Sequence, residues 1–436
     1  MFEIKPVAIL IPPPPRVSRW RLAGRAVALA VRFADYAAVL GPLYLLDRVR
    51  RGRVEAQRRL ARRAVRRIER LGATYVKFGQ MIASRADLLP PHVIGELAAL
   101  LDDVTPMTKR DFDRQWQAAV QRQPRLAGLQ FSGRCLGSGS IACVYEATLP
   151  AESGDPAGSA LAVKLQRPGI ARRMATDLAL MTAFTRVAEK MPQAGGAPLA
   201  DLIDYMNRAI YGQLDFVREA LHTEQLARNL EALPGVLVPT VRGELSDREV
   251  LVTDLIPGLS DSGPAALDPA QRTASAGTAL AAVGQMVFAD GFVHCDLHPG
   301  NLYIRADGTV VILDAGYCVD MPEAIRDHLA GFFTNLQAGN GVRCGEIMFD
   351  SALNSQSSGD RDVFIGEIAE LVAASTAPGH RFEMAEFGQG VFEAQNRHGV
   401  HPPSDFAFPL MSLMIAEGTL RSFWPDLQMP AAVARI

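Results

Sequence analysis

Three oxygen-bearing side chains in the C-terminal half of the sequence have the types and spacing needed to handle a phosphate group. Asp296 and Asn301 stand five residues apart, and Asp314 follows a short apolar run 13 residues after Asn301. Phosphoryl transfer requires a carboxylate near the acceptor hydroxyl and further oxygen ligands for magnesium on the nucleotide phosphates. The pattern predicts Asp296 as the catalytic carboxylate and Asn301 and Asp314 as Mg2+ ligands, with a purely structural loop cap as the alternative.

A lysine further upstream lies in a sequence that alternates like a strand. Lys164 follows Ala162 and Val163, and a lysine buried there without a partner would be strongly destabilising. We expect Glu219, on a helical stretch, to pair with it, while Glu224 is the competitor and is more typical of a solvated helix charge. In kinases a lysine at this place holds the α- and β-phosphates, so Lys164 and Glu219 join Asp296 as candidate catalytic residues.

A glycine-rich segment precedes this lysine by about 20 residues. It follows the spacing GxGxxGxV of a loop that covers nucleotide phosphates, with Ala142 at the third glycine. Alone this is a weak indication, because glycine pairs often mark plain turns. A later strand, Val250–Ile256, is expected to lead to a hinge whose backbone meets the adenine. The candidate ATP-binding residues are Gly137, Ser138, Gly139, Ser140, Ile141, Ala142, Val144, Lys164, Asp254, Leu255 and Ile256.

The elements that must position these residues alternate between helices and a few short strands. Two strands, Asn301–Arg305 and Val310–Asp314, are predicted to form a hairpin around Asp307 and Gly308. This order predicts an α+β chain with a small sheet lobe and a larger helical lobe. The expected segments are a basic arm (1–70), a helical extension (71–130), a small lobe with a helical insert (131–256) and a helical lobe (257–436).

The N-terminal arm carries most of the charge asymmetry. Residues 1–70 hold 17 basic and 5 acidic side chains, a local charge of +12, although the whole chain carries −2. Residues 54–70 have the periodicity of an amphipathic basic helix, which fits either an anionic membrane surface or packing on the acidic remainder. Nucleic acid is not expected, because no aromatic interleaving supports it.

No stretch of 18 uninterrupted apolar residues is present, and Gly41-Pro42 is expected to break the apolar segment that precedes the basic helix. The sequence therefore predicts that the chain does not cross a bilayer.

Composition excludes several other classes. With 436 residues, 48% hydrophobic and 21% charged, the chain is a folded protein rather than a disordered one. Its five cysteines form no CxxC pair, which argues against a disulfide scaffold or a structural zinc site and favours a reducing compartment. No segment is typical of a secretory signal. We expect a cytoplasmic protein, with peripheral contact to the inner face of a membrane as an option.

Four further segments resemble the UbiB/AarF-domain family of atypical kinases. Residues 72–80 resemble its KxGQ motif, residues 83–91 the segment that follows it, residues 213–220 its ExDFxxEA motif, and residues 294–301 its HxDxHPGN loop. The likeness covers about residues 71–427. It implies a protein-kinase-like two-lobe fold with a helical N-terminal extension, in which Lys77, Gln80 and Gln213 lie where ordinary kinases admit a peptide. It also implies ATP and Mg2+, with ATPase or kinase action on a small-molecule or lipid-like substrate in isoprenoid-quinone or other lipid metabolism.

The sequence departs from this family at four places. Gly137 and Gly139 replace alanines of the phosphate-covering loop, Gln213 replaces a glutamate, and Ala315 replaces the aromatic residue after Asp314. The last two changes favour a pseudokinase scaffold as one alternative, against which the retained lysine, carboxylates and asparagine count. A phosphotransferase like those of aminoglycosides or choline is a second alternative, and the KxGQ segment counts against it.

Overall fold

The structure is a computed structural model that describes residues 17–83, 93, 105–150, 158–188, 207, 209–259, 263–352, 360–377, 379, 382–400 and 407–424. The described residues fall into two compact units. The first takes in the described parts of Met1–Ser84, Leu89–Leu221 and Val241–Leu255, and the second those of Arg85–Leu88, His222–Thr240 and Ile256–Ile436. One division falls at Leu255 and Ile256, where the sequence places the hinge. The four segments expected from the sequence stay a prediction.

We number the helices and strands in chain order. The helices are α1 (Arg19–Arg51), α2 (Arg53–Leu71), α3 (Ala73–Ala83), α4 (Lys109–Arg122), α5 (Ile170–Ala188), α6 (Phe216–Leu230), α7 (Pro269–Gly284), α8 (Glu323–Gln337), α9 (Gly341–Asp350), α10 (Arg361–Ser375), α11 (Met384–His398) and α12 (Ala407–Phe423). The strands are β1 (Gln130–Ser138), β2 (Ala142–Leu149), β3 (Ser159–Gln166), β4 (Val236–Leu237), β5 (Val250–Asp254), β6 (Phe292–His294), β7 (Leu302–Ile304), β8 (Val310–Ile312) and β9 (Cys318–Asp320).

Helix α1 corrects two expectations drawn from the sequence. It runs without a break through Gly41 and Pro42, both of which are exposed. A proline removes one helical hydrogen bond, but at an exposed position water can satisfy the carbonyl that is left, and contacts elsewhere along α1 hold the helix together. By length and composition this helix is long and apolar enough to cross a membrane, although single charged residues interrupt its apolar run. The expectation that no segment is long enough is therefore wrong.

One buried carboxylate connects α1 to the rest of the first unit. Asp177 on α5 accepts from Arg25 Nε at 2.6 Å and from Nη2 at 3.0 Å, and it accepts from the Thr74 hydroxyl of α3 at 3.1 Å. Arg25 Nη2 also donates to the Leu71 carbonyl at 2.7 Å. Helices α1, α3 and α5 are thus joined at one charged group. The basic helix predicted from the sequence is α2, which lies between α1 and α3 in the chain.

The first unit contains a four-stranded antiparallel sheet in the order β1-β2-β3-β5. Residues of β2 and β3 alternate between a buried and a more open face, which is the pattern of a half-covered sheet. Helix α4 covers the buried face, where Trp116 and Phe131 meet edge to face at 4.7 Å. This sheet fixes the lysine-bearing strand β3 between two neighbours.

The second unit is mainly helical and contains the predicted hairpin. Strands β7 and β8 pair from Leu302 with Ile312 to Ile304 with Val310, and β4 adds in parallel. Gly308 takes a positive φ of 86° in the turn, which glycine adopts without strain. Strands β6 and β9 form a separate antiparallel pair. The hairpin prediction is therefore confirmed.

The segment 151–157 between β2 and β3 and part of the segment before α6 lie outside the described residues. Helix α5 begins at Ile170, and several of its residues before Asp177 are already buried.

Candidate active site

The lysine and glutamate predicted to pair do so in the first unit. Lys164 Nζ lies 2.6 Å from Glu219 Oε1, with 17% of the lysine side chain and 3% of the glutamate side chain exposed. Lys164 stands in the middle of β3, opposite Val144 on β2 and Leu251 on β5. Its ammonium also lies 5.3 Å from the centre of the Phe216 ring. The strand thus holds the lysine fixed with its charge compensated, which an isolated buried ammonium could not achieve.

Glu219 is placed by the way α6 begins. Asp215 precedes the helix, and its carboxylate accepts a hydrogen bond from the Val217 N–H at 3.1 Å. Such a cap satisfies one of the open N–H groups of the first turn. Glu219 then falls in that first turn, where the helix dipole also favours a negative charge. Glu224, the alternative partner, is within 4.0 Å of Arg228 instead.

The predicted phosphate-covering loop is the tight connection from β1 to β2. Gly137 and Ser138 end β1, and the Gly139 N–H donates to the Ala142 carbonyl at 2.9 Å to close the turn. Gly137 has no positive φ, and an added Cβ would meet nothing within 4 Å. Neither backbone conformation nor packing of the protein requires glycine there. What the glycine provides is open space beside the backbone, as close approach of a ligand requires.

Arg167, which the sequence did not single out, fastens this loop. Its Nε donates to the Gly139 carbonyl at 2.8 Å, and its Nη2 donates to the Ser138 hydroxyl at 2.8 Å and to the Thr105 carbonyl at 2.9 Å. Its own backbone N–H donates to the Ile141 carbonyl at 2.8 Å. One residue directly after β3 therefore fixes the loop at three positions, Ser138, Gly139 and Ile141.

The hinge residues differ in what they can offer a ligand. Asp254 ends β5, and its carboxylate pairs with Arg242 Nε at 2.6 Å. The Leu255 N–H already donates to the Ala160 carbonyl at 2.9 Å, so it is committed to the sheet. The Leu255 N–H, one of the backbone groups predicted to meet adenine, is therefore already engaged in a hydrogen bond within the protein. Ile256 is buried.

The residues assigned to the KxGQ and ExDFxxEA segments lie on α3 and before α6. Lys77 and Gln213 are both buried in the first unit. The side chain of Gln80 lies outside the described residues, so its predicted role stays a prediction. Helix α3 also carries Thr74, and thereby shares the Asp177 carboxylate with α1.

In the second unit, the predicted catalytic loop follows β6. His294 is fully buried, its Nε2 lies 3.1 Å from the Leu313 carbonyl, and its Nδ1 accepts from the Asp296 N–H at 3.2 Å. Burial lowers the pKa of His294, so the ring is neutral at pH 7. Because both of its ring nitrogens bond the backbone, His294 orders the loop. Asp296 keeps a partly exposed carboxylate, 3.8 Å from His298 Nε2.

The two predicted metal ligands stand at the same end of the β7–β8 hairpin. Asn301 precedes β7. Its backbone carbonyl accepts a hydrogen bond at 2.8 Å from the N–H of Leu313, which is the residue directly before Asp314. The Asn301 amide nitrogen donates to the Asp296 carbonyl at 2.8 Å, so the amide oxygen is the atom suited to bind a cation. Asp314 takes a left-handed φ of 55°, and its Oδ1 accepts from the Gly316 N–H at 3.3 Å.

This donor set fits magnesium that is shared with phosphates. Mg2+ prefers oxygen ligands and is usually held by one or two carboxylates together with substrate phosphate and water. Among the described residues no group of three or more His, Cys, Asp or Glu could hold a metal by itself. One amide and one carboxylate oxygen are therefore suited to a cation that arrives with the nucleotide. Burial raises the pKa of Cys295 well above its usual value, so this thiol stays protonated.

Helix α12 supports the catalytic loop from below, which the sequence did not indicate. The Ser412 hydroxyl donates to the His294 carbonyl at 2.6 Å, and the Thr419 hydroxyl donates to the Leu297 carbonyl at 2.8 Å. Both hydroxyls are buried. They donate to two carbonyls of the loop that carries Asp296 and so help to hold this loop in place.

Ala315 stands where the resembled family has an aromatic residue, and its backbone is contacted by a histidine. Ala315 is buried, and its carbonyl lies 3.0 Å from His222 Nδ1 on α6. The His222 ring in turn meets the Phe292 ring edge to face at 5.4 Å. A polar contact from α6 thus reaches the backbone directly after Asp314.

Comparisons with known proteins agree with this geometry. A family model described as the ABC1 atypical kinase-like domain matches residues 99–348. Three relatives named "Probable protein kinase UbiB" are similar in sequence. The relative from Azotobacter vinelandii is 31% identical, and the match covers 83% of this chain and 68% of the relative. The relative from Aeromonas hydrophila is 34% identical, with 54% of this chain and 43% of the relative covered. The relative from Marinobacter nauticus is 28% identical, with 83% of this chain and 66% of the relative covered. The matches thus leave about a third or more of each relative uncovered.

One solved structure also has a similar fold. The complex of Rv3197 with erythromycin from Mycobacterium tuberculosis matches 76% of this chain and 85% of that chain, with a TM-score of 0.52 and 18% identity. At this identity the likeness concerns the fold alone. Together with the family match it confirms the protein-kinase-like α+β class predicted from the sequence.

Proposed function

The chain belongs to the ABC1 atypical kinase-like family, and from this premise we propose that it binds ATP with Mg2+ and transfers or hydrolyses the terminal phosphoryl group. The acceptor would be a small molecule or a lipid-linked compound, and the activity would support isoprenoid-quinone or related metabolism. The observation that carries the proposal is the 2.6 Å ion pair of Lys164 and Glu219 on a covered strand. A structural lysine has no need of this position, whereas a phosphate-holding lysine does.

The residues of the first unit would bind and orient the nucleotide. The Lys164 ammonium would bind the α- and β-phosphates, and Glu219 would hold that ammonium in one position. The loop from Gly137 to Ala142 would cover the phosphates with backbone N–H groups, which bind anions well when successive groups point to one side. Arg167 would keep the loop in this shape.

The residues of the second unit would act on the transferred group. Asp296 would accept the proton of the acceptor hydroxyl, or position a water for hydrolysis, from a loop fixed by His294 and by the hydroxyls of α12. Asn301 and Asp314 would hold Mg2+, which supplies neutralisation of phosphate charge when it is bound. The side chains of Asn301 and Asp314 and the backbone of Asp296 are held by hydrogen bonds, so little reorganisation would be needed on binding.

A turnover assay tests the proposal directly. The full chain is incubated with γ-labelled ATP and Mg2+, with and without lipid vesicles, and labelled phosphate and labelled products are counted. We expect turnover that depends on Mg2+ and is abolished by EDTA. Nucleotide binding by calorimetry without turnover under any condition would instead identify a pseudokinase scaffold, which Ala315 and Gln213 favour. Failure to bind nucleotide would contradict both.

Asp314→Asn tests the metal site with little risk to the fold. Asparagine tolerates the left-handed backbone conformation at least as well as aspartate, and its amide oxygen can still accept from the Gly316 N–H. Loss of one charged metal ligand is expected to weaken Mg-ATP binding by about tenfold or more, since a charged contact contributes about 1.5–3 kcal/mol. Calorimetry with and without Mg2+ measures this. Asp320→Asn, an exposed carboxylate that ends β9, is the matched control. Unchanged Mg-ATP affinity in Asp314→Asn would remove Asp314 from the site.

Arg167→Met tests the loop fastening. It removes three guanidinium hydrogen bonds while leaving the backbone bond to Ile141, so the loop is expected to lose its fixed shape. We expect KM for ATP to rise by about tenfold with a smaller change in kcat, and faster amide exchange at residues 137–142. Arg173→Met, on the exposed face of α5, is the control. An unchanged KM together with unchanged exchange would show that the loop does not depend on Arg167.

A further inference from the structure

Helix α1 leaves an unusual amount of apolar side chain in solvent. Of the sixteen large apolar side chains that the described part of the chain exposes, eight lie on α1, among them Trp20, Val27, Val31 and Phe33. Only 6% of its most apolar 18-residue window is buried. Large exposed apolar surfaces on a folded protein usually mark an interaction site.

The opposite side of α1 is held along its length. Arg25 pairs with Asp177, Arg32 donates to the Arg70 carbonyl at 2.6 Å, the Tyr36 hydroxyl donates to the Arg67 carbonyl at 3.3 Å, and Asp47 pairs with Arg63 Nη1 at 2.6 Å. A helix that crossed a bilayer alone would have to give up these contacts and place Arg32 and Asp35 in hydrocarbon. The contacts therefore favour a helix that stays packed on α2 and leaves its apolar side chains exposed on the opposite side.

The turn that joins α1 to α2 mixes apolar and cationic side chains. Within ten residues, the exposed fractions of Leu45, Leu46, Val49 and Val54 are 60%, 44%, 86% and 57%. Exposed arginines alternate with them at positions 48, 50, 51 and 53. Arg48, Arg50 and Arg53 have no ion-pair partner among the described residues, so their charges are available to a ligand.

More arginines continue along α2. Arg59, Arg62, Arg63 and Arg66 line a shallow cavity of about 190 Å³ on this helix. Arg59 and Arg63 are partly neutralised by Glu55 and Asp47, so the strongest uncompensated charge lies at the turn. Guanidinium groups bind phosphate oxygens in pairs, which makes this stretch suited to phosphate esters.

We infer that the hairpin formed by α1 and α2 is a docking surface for an anionic phospholipid bilayer, on which α1 lies without crossing. The exposed leucines and valines would enter the boundary between headgroups and acyl chains, while the arginines bind headgroup phosphates. Nucleic acid would use the arginines but has no use for the aliphatic side chains that alternate with them. This inference stands on the hairpin alone and does not depend on the proposed ATP chemistry.

Vesicle flotation with the full chain tests the surface. We expect binding to phosphatidylglycerol vesicles that weakens steeply between about 50 and 300 mM salt, because salt screens the attraction between the arginines and the anionic headgroups. We expect little binding to phosphatidylcholine vesicles. The paired change Arg50→Gln and Arg53→Gln is expected to weaken binding by about thirtyfold, which is about fivefold per arginine. Millimolar inorganic phosphate should not compete, because it lacks the apolar part.

Apolar substitutions complete the test with matched controls. Leu46→Gln and Val49→Gln are each expected to weaken vesicle binding by about tenfold, since partial burial of such a side chain contributes on that order. Val342→Gln and Val363→Gln change equally exposed valines of the second unit, each 53% exposed, and should leave binding unchanged. All four sites are exposed, so these variants should fold.

Three outcomes would overturn the inference. Equal binding to neutral and anionic vesicles, or none at low salt, would remove the lipid surface. Retention in cell membranes after alkaline carbonate extraction would show a crossing helix rather than a surface one. Concentration-dependent dimers that Val49→Gln disperses, without vesicle binding, would show that a second copy of the chain covers this face.

Discussion

Asp296→Asn is expected to lower kcat for ATP turnover by about 10²–10⁴-fold while leaving Mg-ATP affinity within about twofold of the wild type. The amide cannot accept a proton at neutral pH, but it has the same shape as the carboxylate. The loop should keep its structure, because the bonds from Asn301 and His294 that fix it involve the Asp296 backbone and not its side chain. The variant thus separates chemistry from binding.

The measurement is steady-state turnover of γ-labelled ATP alongside calorimetry with Mg-ATP. Asp320→Asn, which changes an exposed carboxylate of the same unit, should behave as the wild type in both. If Asp296→Asn turned over ATP at the wild-type rate, the carboxylate would have no part in the reaction. The proposed alignment of the HxDxHPGN loop would then fail.

Lys164→Met is expected to reduce kcat/KM for ATP by about 10²–10³-fold, the usual effect of removing one fixed group that stabilises developing charge. It also leaves Glu219, with 3% of its side chain exposed, without its closest cation. Removing one partner of a buried ion pair costs about 3–5 kcal/mol, so the single variant should also melt at a lower temperature. A loss of activity in this variant could then reflect either effect.

A second variant separates stability from activity. Lys164→Met combined with Glu219→Gln removes both charges, so its thermal stability should return towards the wild type. Its ATP turnover should stay as low as that of the single variant. Recovered turnover in the double variant would show that the lysine acts only on stability, and full activity in the single variant would end the kinase-like alignment of β3.

The candidate reacting groups could be located in the sequence because the chemistry proposed for them needs particular side-chain types at short, fixed separations. Asp296, Asn301 and Asp314 lie within 19 residues, and the structure places them around one loop and one hairpin end. Lys164 and Glu219 are further apart, yet a buried lysine demands an acid and the helix start offered one. In such cases local rules and function point to the same residues.

The groups that hold the site in place could not be predicted in this way. Ser412 and Thr419 reach the catalytic loop across 118 and 122 residues, and His222 reaches Ala315 across 93. Serine, threonine and histidine occur throughout the chain, so nothing in local spacing indicates which of them will meet a distant carbonyl. Arg167 is one of many arginines, and only the fold shows that its guanidinium faces the loop.

In helix α1 a local sequence rule gave a wrong prediction, because it placed a helix end at Gly41-Pro42 where the helix continues. Glycine followed by proline usually ends a helix, but here contacts at Tyr36 and Asp47 hold the backbone on both sides of the pair. The helix therefore continues through the pair despite one missing hydrogen bond. The count of uninterrupted apolar residues did not indicate α1 as a possible membrane-crossing helix, because such a count stops at every charged residue. A helix can place single charged side chains on one face and keep its other faces apolar.

The Asp177 carboxylate has a practical consequence for how the N-terminal region is studied. A chain shortened by its first 52 residues lacks Arg25 and so leaves a carboxylate, 4% exposed, without its guanidinium. The same carboxylate holds Thr74 on α3, three residues before Lys77. Truncation would therefore disturb folding and the KxGQ helix together, and a truncated protein that lost lipid binding or ATP turnover would not show which region is responsible. Single substitutions on the outer side of α1 avoid this ambiguity, since they leave Arg25 in place.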